Sequence, residues 1–299
     1  MTFVSEGTFH YHIPDGLTVM DTWVCFDLDG TLTYAEKHLY PQLPDDVHLL
    51  PRRRRILRKY ADKYTIFIFT NQKSRSPKEV QKKLARLQTF IDKVKVPVIV
   101  CASTGDDNYR KPNTGMYDFC TGRFGHPTRA YFCGDAGGRP GDFSDSDRLF
   151  AENSGLVYKT PEQVFKPRTP RLPQERSMVV FVGMPGVGKT TFYQTHLNSY
   201  DWVNQDTLKT MKKCLSTLEA SLKRGSNVCI DSTNPSLEKR QNYYTLANKY
   251  NYTITVIYFT GNGYSRNQLR ANKVPDIVYR LYFKKLSPPT RAEGTLIRI

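Results

Sequence analysis

Two aspartates one residue apart, Asp27 and Asp29, close the apolar run in TWVCFDLDGTLTY, residues 22–34. A strand sends residues i and i+2 to one face, so both carboxylates arrive together at the end of a segment that otherwise reads as core. Like charges that close repel unless a cation or a shared proton offsets them. The pair therefore asks for a metal, and for chemistry in which one carboxylate attacks and the other handles protons. A second signature, G-x-x-x-x-G-K-T from Gly183 to Thr190, lies in SMVVFVGMPGVGKTTF between an apolar run and a helix-like stretch. In that setting the loop around Gly183, Gly186 and Gly188 cradles phosphates with backbone N–H groups. Lys189 then reaches the β- and γ-oxygens of a nucleotide such as ATP, and Thr190, followed by Thr191, ligates Mg2+.

The elements that must position these groups are legible as alternating apolar runs and helix-like stretches. In the first half the runs are WVCFDLDG, YTIFIFTNQ, VPVIVCAS and RAYFCGDA, and in the second SMVVFVGMPG, YDWVNQDT, SNVCIDSTN and YTITVIYFTG. Such βαβα alternation predicts an α/β chain with two parallel-sheet domains. The expected boundaries are 1–165, a Pro- and Arg-rich linker over 166–177 (KPRTPRLPQERS), and 178–299; about twenty residues precede the first expected strand. Ser76-Pro77-Lys78-Glu79 combines a capping serine, a proline at the first helical position and a glutamate three residues after the cap. It predicts a helix from about Pro77 to Asp92. The basic run Arg52 to Arg55 reads as a solvated helix face.

Composition bounds the partners. The formal charge is +16, and it is uneven: residues 1–165 carry 23 Lys and Arg against 20 Asp and Glu, residues 166–299 carry 21 against 8. A polyanionic partner for the second half is the natural inference. The six cysteines show no C-x-x-C spacing. Most fall in or beside apolar runs, which suits a reducing, intracellular compartment without a disulfide frame. No long apolar span or signal-peptide pattern is present, so neither a membrane nor secretion is expected.

In a parallel α/β sheet, ligands gather at the carboxyl ends of strands. Such ends offer Thr70 and Asn71, then Lys111 before a helix, then Asp135 in a Gly-rich loop. Together with the aspartate pair they form a constellation suited to phosphate and Mg2+. Asp145 and Asp147 in DFSDSDRLF either assist the metal or cap the next helix, with Asp147 favoured; Arg139 is either a turn residue or a substrate contact. In the second half Asp206, at the end of VNQDT, either accepts a proton from an attacking hydroxyl or caps a helix over 207–223. Asp231 and Asn234 stand at a third strand end. Arg266 and Arg270, spaced i, i+4, either form a charge-neutralising lid on one helix face or sit on a solvated helix.

D-x-D-G-T, then Thr-Asn, a Lys and Gly-Asp in that order resemble the four motifs of the haloacid dehalogenase superfamily of phosphatases. The resemblance implies a Rossmannoid phosphatase domain in which Asp27 forms an aspartyl-phosphate and Asp29 serves as acid and then base. Thr70 and Lys111 would hold the phosphoryl oxygens, and Mg2+ would lie between Asp27, the Asp29 carbonyl and Asp135. With the P-loop kinase half included, the whole chain is similar to the polynucleotide 5′-kinase/3′-phosphatase family, through KPNTGMYDF, GDAGGRP, GMPGVGKTT, VNQDTL, IDSTNP and PPTRAEG. That implies DNA or RNA strand ends as substrates and a hand-off to a ligase. It also implies Asp206 as kinase base, Asp231 and Asn234 at the acceptor end, and Arg270, with Arg266, as lid arginines. The forkhead-associated domain of some relatives is not expected here, and Gln205 stands where many relatives carry an arginine. Oligomeric state is not legible. The competing readings are a fusion of small-metabolite phosphatase and kinase, and an idle scaffold that binds broken nucleic acid.

Overall fold

Alternating side chains of the first-half strands load both faces of one sheet. Val24, Phe26, Ile66 and Ile68 pack into one core, while Trp23, Cys25, Phe67 and Phe69 pack into another on the opposite face. This is the period-2 rule acting on strands buried on both sides. The computed structural model describes residues 3–36, 38, 40–165, 172, 175–267, 270 and 272–299. The chain divides into two units, 1–166 and 167–299. The expected linker lies mostly outside the described residues, and Ser177, placed in it, already begins a strand.

The first unit contains β1 (Val4–Glu6), β2 (Phe9–His12), β3 (Thr22–Phe26), β4 (Thr33–Tyr34), β5 (His48–Leu49), β6 (Thr65–Asn71), β7 (Ile99–Ser103), β8 (Arg129–Cys133) and β9 (Val157–Lys159). Its helices are α1 (Arg53–Ala61), α2 (Pro77–Val94), α3 (Gly115–Phe124), α4 (Ser146–Asn153) and α5 (Pro161–Phe165). Seven strands form one sheet in the order β1-β2-β7-β6-β3-β8-β9, and β4 pairs with β5. Pairing is parallel from β7 to β9, whereas β1, β2 and β7 pair antiparallel. The first strand was expected at residue 22; an edge hairpin precedes it, turning at Gly7. Its β1 is exposed and short, so it lacks the apolar run that marks a core strand.

Helix α2 starts at Pro77 as expected, with Ser76 accepting from the Glu79 amide, and runs to Val94 because Leu87, Phe90 and Val94 keep one face in the core. Burial of each such side chain contributes about 1.5–3 kcal/mol. The basic run is a correction. Arg53 donates to the Thr31 carbonyl at 2.9 Å and lies 4.0 Å over the Phe165 ring, and Arg54 donates to the Lys93 carbonyl. Only Arg55 of the four is exposed, because the others find carbonyls and a ring within reach of their long stems.

The second unit contains β10 (Ser177–Val182), β11 (Asp201–Asn204), β12 (Val228–Asp231), β13 (Thr253–Tyr258) and β14 (Thr295–Arg298). They form a parallel sheet in the order β11-β12-β10-β13-β14. Its helices are α6 (Lys189–His196), α7 (Gln205–Leu208), α8 (Met211–Lys223), α9 (Leu237–Lys249), α10 (Gly263–Asn267) and α11 (Asp276–Lys285). All eight apolar runs are strands, β3, β6, β7, β8, β10, β11, β12 and β13. No helix among the described residues is long and apolar enough to cross a membrane, and all six cysteines are buried free thiols.

Candidate active sites

Because β6, β3 and β8 are neighbours, their carboxyl ends bring Thr70, Asp27 and Asp135 together from far-apart sequence positions. The Asp27 amide donates to the Cys133 carbonyl at 2.9 Å, tying the first aspartate to the end of β8. Ligand oxygens of Asp27, Asp135 and Asp147 all lie within 4.8 Å of one another. Lys111 bridges two of them, its Nζ 2.7 Å from both Asp27 Oδ1 and Asp147 Oδ1. Burial pushes the Asp27 carboxyl up to about 7, with Lys111 opposing and Asp147 reinforcing the rise; Asp135 is raised as well, by burial and then by Asp27 and Asp147. Three carboxylates with one ammonium leave negative charge uncompensated, which fits a divalent cation.

Of the two later acids, Asp147 is the buried one: its second oxygen accepts the Ala136 amide at 3.0 Å, while Asp145 is half exposed beside Arg148. Arg139 is a loop anchor, paired with Asp142 and Glu162. Asn71 spends its amide on the backbone of Lys111, donating to the carbonyl at 3.0 Å and accepting from the N–H at 2.9 Å. It therefore fixes the lysine rather than reaching outward. Gly30 has φ +87, and a Cβ there would lie 2.3 Å from Asp135 Oδ2, so the turn after the aspartate pair admits no side chain.

Asp29 is separately held. Its Oδ1 accepts from Thr33 at 3.0 Å, and its Oδ2 accepts from Gln72 Nε2 at 3.0 Å and from Arg86 at 2.7 Å. Arg86, 3% exposed, reaches inward from α2 and also donates to the Pro41 carbonyl and to Gln72 Oε1. Gln72 donates to the Thr70 hydroxyl at 2.8 Å, joining the end of β6 to Asp29.

In the second unit β12 lies between β11 and β10, and Asn204 is in register with Asp231. The P-loop follows β10. Gly186 has φ +78, and a Cβ there would lie 2.3 Å from the Gly263 carbonyl, so α10 packs directly on the loop. Tyr279 from α11 donates to the Pro185 carbonyl at 3.2 Å. Lys189 is buried and folds back onto the Gly183 and Met184 carbonyls at 2.9 and 2.7 Å; burial pushes its ammonium down to about 8. Thr190 and Thr191 open α6.

Asp231, expected at the acceptor end, accepts the Thr190 hydroxyl at 2.8 Å, together with Trp202 Nε1 and Asn204 Nδ2 at 3.2 Å each. Its carboxylate thus sits beside the P-loop threonine. Asn234 is a correction: at φ +42 its side chain turns inward, is fully buried and donates to the Phe181 carbonyl at 2.8 Å, out of reach of an incoming strand. Asp206 is exposed on α7. The i, i+4 helix face for the arginines is also corrected. Helix α10 ends at Asn267, whose side chain exchanges two hydrogen bonds with the Val274 backbone, and Arg270 lies outside the helix. Arg266 donates to the Val187 carbonyl at 3.4 Å, over the P-loop.

Residues 22–165 match the family described as polynucleotide kinase 3 phosphatase, and residues 178–272 match an AAA domain family. A protein of Acanthamoeba polyphaga mimivirus, assigned as a bifunctional polynucleotide phosphatase/kinase, is 30% identical over 90% of this chain and 82% of its own length. The chain belongs to the bifunctional polynucleotide phosphatase/kinase family. A bifunctional polynucleotide phosphatase/kinase of Schizosaccharomyces pombe is 28% identical over 91% of this chain and 77% of its own. An Arabidopsis thaliana polynucleotide 3′-phosphatase is 32% identical over 51% of this chain and 25% of its own.

For a member of this family the sequence reading passed over four side chains that hold the sites: Gln72, Arg86, Lys239 and Arg240. Lys239 donates to Gln205 Oε1 at 2.6 Å, next to Asp206. Arg240, fully buried, pairs with Glu293 at 2.6 Å and donates to the carbonyls of Asn234 and Pro235, fixing the loop after β12. Gln72 follows a strand-end pair already singled out, so its place was open to inspection. Arg86 lies mid-helix and Lys239 and Arg240 in the first turn of α9, where polarity alone carries no signal.

Proposed function

We propose that the chain heals nucleic-acid breaks, with unit 1 removing a 3′-phosphate and unit 2 adding a 5′-phosphate from ATP. The observation that carries this is one chain bearing both an aspartate trio bridged by Lys111 and a P-loop whose Thr190 meets Asp231. The two activities would oppose each other on a small metabolite. On a strand break they act on different ends and leave the termini that a ligase joins.

In unit 1, Asp27 attacks phosphorus while the P–O bond to the 3′ carbon's oxygen breaks, and that oxygen takes the proton of Asp29. Asp29 then removes a proton from water, which releases phosphate from the Asp27 acyl-phosphate. Lys111 and Thr70 hold the phosphoryl oxygens, and Asn71 keeps Lys111 in place. Asp27, Asp135 and Asp147, with the Asp29 carbonyl, would hold Mg2+, which would supply charge neutralisation at phosphorus. In unit 2, Asp206 takes the proton of the 5′-hydroxyl as its oxygen attacks the γ-phosphorus and ADP leaves. Lys189 and the loop of Gly183, Gly186 and Gly188 orient the phosphates, with Thr191 at the same helix start. Thr190 and Asp231 would hold the nucleotide's Mg2+, and Arg266 and Arg270 would meet charge on the transferring group. The basic second half, 21 Lys and Arg against 8 acids, supports a polyanionic acceptor. The buried thiols accord with an intracellular setting.

The test is a duplex nick with 3′-phosphate and 5′-hydroxyl, which an ATP-dependent ligase cannot seal. Adding this protein with ATP and Mg2+ makes it sealable; failure on DNA and on the equivalent RNA break, with both activities intact on nucleotides, overturns the assignment.

A further inference from the structure

The second unit holds a cavity of about 370 Å3, walled by the start of α8, the loop after β12 with the first turns of α9, and the end of α11. Two lysines, Lys239 and Lys285, line it with Ser236, Thr233 and Asn242; the one carboxylate on the wall, Glu238, is exposed. Lys239 is tied to the reaction side of the unit. Its ammonium donates to Gln205 Oε1 at 2.6 Å and to Ser232 Oγ at 2.9 Å, and Gln205 adjoins Asp206 on α7.

Both partners of Lys239 are neutral, and an ammonium has three N–H groups, so one donor remains for a ligand. Burial pushes this ammonium down to about 8, against the pull of Cys214 and Asp206 and with Lys285 adding to the drop. A half-buried cation bonded only to neutral groups is costly, and an anion in the cavity lowers that cost. Among the described residues no aromatic ring lines the wall to stack a base. Such a wall suits a phosphate backbone rather than a nucleobase.

We propose that this cavity receives an internal phosphodiester of the acceptor strand, inward from the 5′-hydroxyl presented to Asp206, with Lys285 and Lys239 as its cationic donors. This rests on the kinase reading of unit 2 and adds to it a subsite that makes acceptor affinity depend on strand length but not on sequence.

The test uses the full chain and a series of single-stranded 5′-hydroxyl oligonucleotides, each carrying one neutral methylphosphonate at a successive linkage. Binding is read by fluorescence anisotropy and phosphorylation from ATP by label transfer. Wild type is expected to lose about tenfold in affinity when one internal linkage is neutral, the scale of one charge-assisted hydrogen bond. In Lys285→Ala and in Lys239→Gln that penalty vanishes, and the salt slope of binding falls by about 0.7. Inorganic phosphate at millimolar level should not abolish the linkage effect; if it does, the cavity is a free-phosphate site and the proposal is wrong. Equal affinity for every methylphosphonate, or a penalty that survives both substitutions in folded protein, overturns the subsite and leaves the kinase reading standing. A wild type that phosphorylates no polynucleotide overturns both.

Discussion

Arg86 places its guanidinium 2.7 Å from Asp29 Oδ2, although the two residues are 57 positions apart and sit on different elements. With Gln72 and Thr33 it fixes the carboxylate proposed to move protons in unit 1. Arg86→Met is expected to lower phosphatase kcat by about 10²-fold, as a misplaced proton-transfer group would, with a much smaller change in KM. Arg86→Lys should recover part of the loss, and 5′-kinase activity should be unaffected. A proportional fall in both activities would reduce Arg86 to a packing role.

Separability follows from the two sites belonging to different units. Asp27→Asn is expected to cut phosphate release from a 3′-phosphorylated oligonucleotide by more than about 10³-fold, since the attacking group is gone. It should leave label transfer from ATP near normal, and Lys189→Ala should do the reverse. Loss of both activities from either change in folded protein would refute the two-site picture.

The buried member of the second acid pair should govern the metal. Asp147 lies against Lys111 and within the trio, whereas Asp145 pairs with Arg148 at the surface. Asp147→Asn is expected to raise the Mg2+ concentration needed for half-maximal phosphatase activity by about 10- to 100-fold, and Asp145→Asn to leave it alone. Titration with Mg2+ at fixed substrate checks both.

The proposed strand subsite should respond to pH. Lys239, pushed down to about 8, is cationic below that value and neutral above it. Oligonucleotide affinity should therefore fall as pH rises from 7 to 9, and the fall should be smaller in Lys239→Gln. Parallel curves for the two proteins would exclude Lys239 as the titrating donor.

Arg240 and Glu293 test stability. Arg240 is fully buried, and Glu293 also accepts from the Tyr244 hydroxyl at 2.8 Å. Glu293→Ala strands a buried cation, at a cost of about 3–5 kcal/mol. Kinase activity should be lost at a lower temperature than in wild type, while phosphatase activity survives to its usual limit.

The sequence by itself determined the eight core strands, because apolar runs bounded by Gly, Asp and Asn leave a chain few places to go but a buried parallel sheet. It also singled out Asp27, which follows β3, Lys111, which precedes α3, and Lys189 and Thr190 at the start of α6, because their motifs are local. The tertiary structure decided what those residues touch. Strand order put β3 between β6 and β8, and packing of α4 at that end brought Asp147 to Lys111 beside Asp27. Packing of α2 on the sheet sent Arg86 to Asp29, and a positive φ at Asn234 buried a side chain that its motif seemed to present outward. Such contacts join residues distant along the chain through particular rotamers and backbone angles, and no local pattern of residue types encodes those.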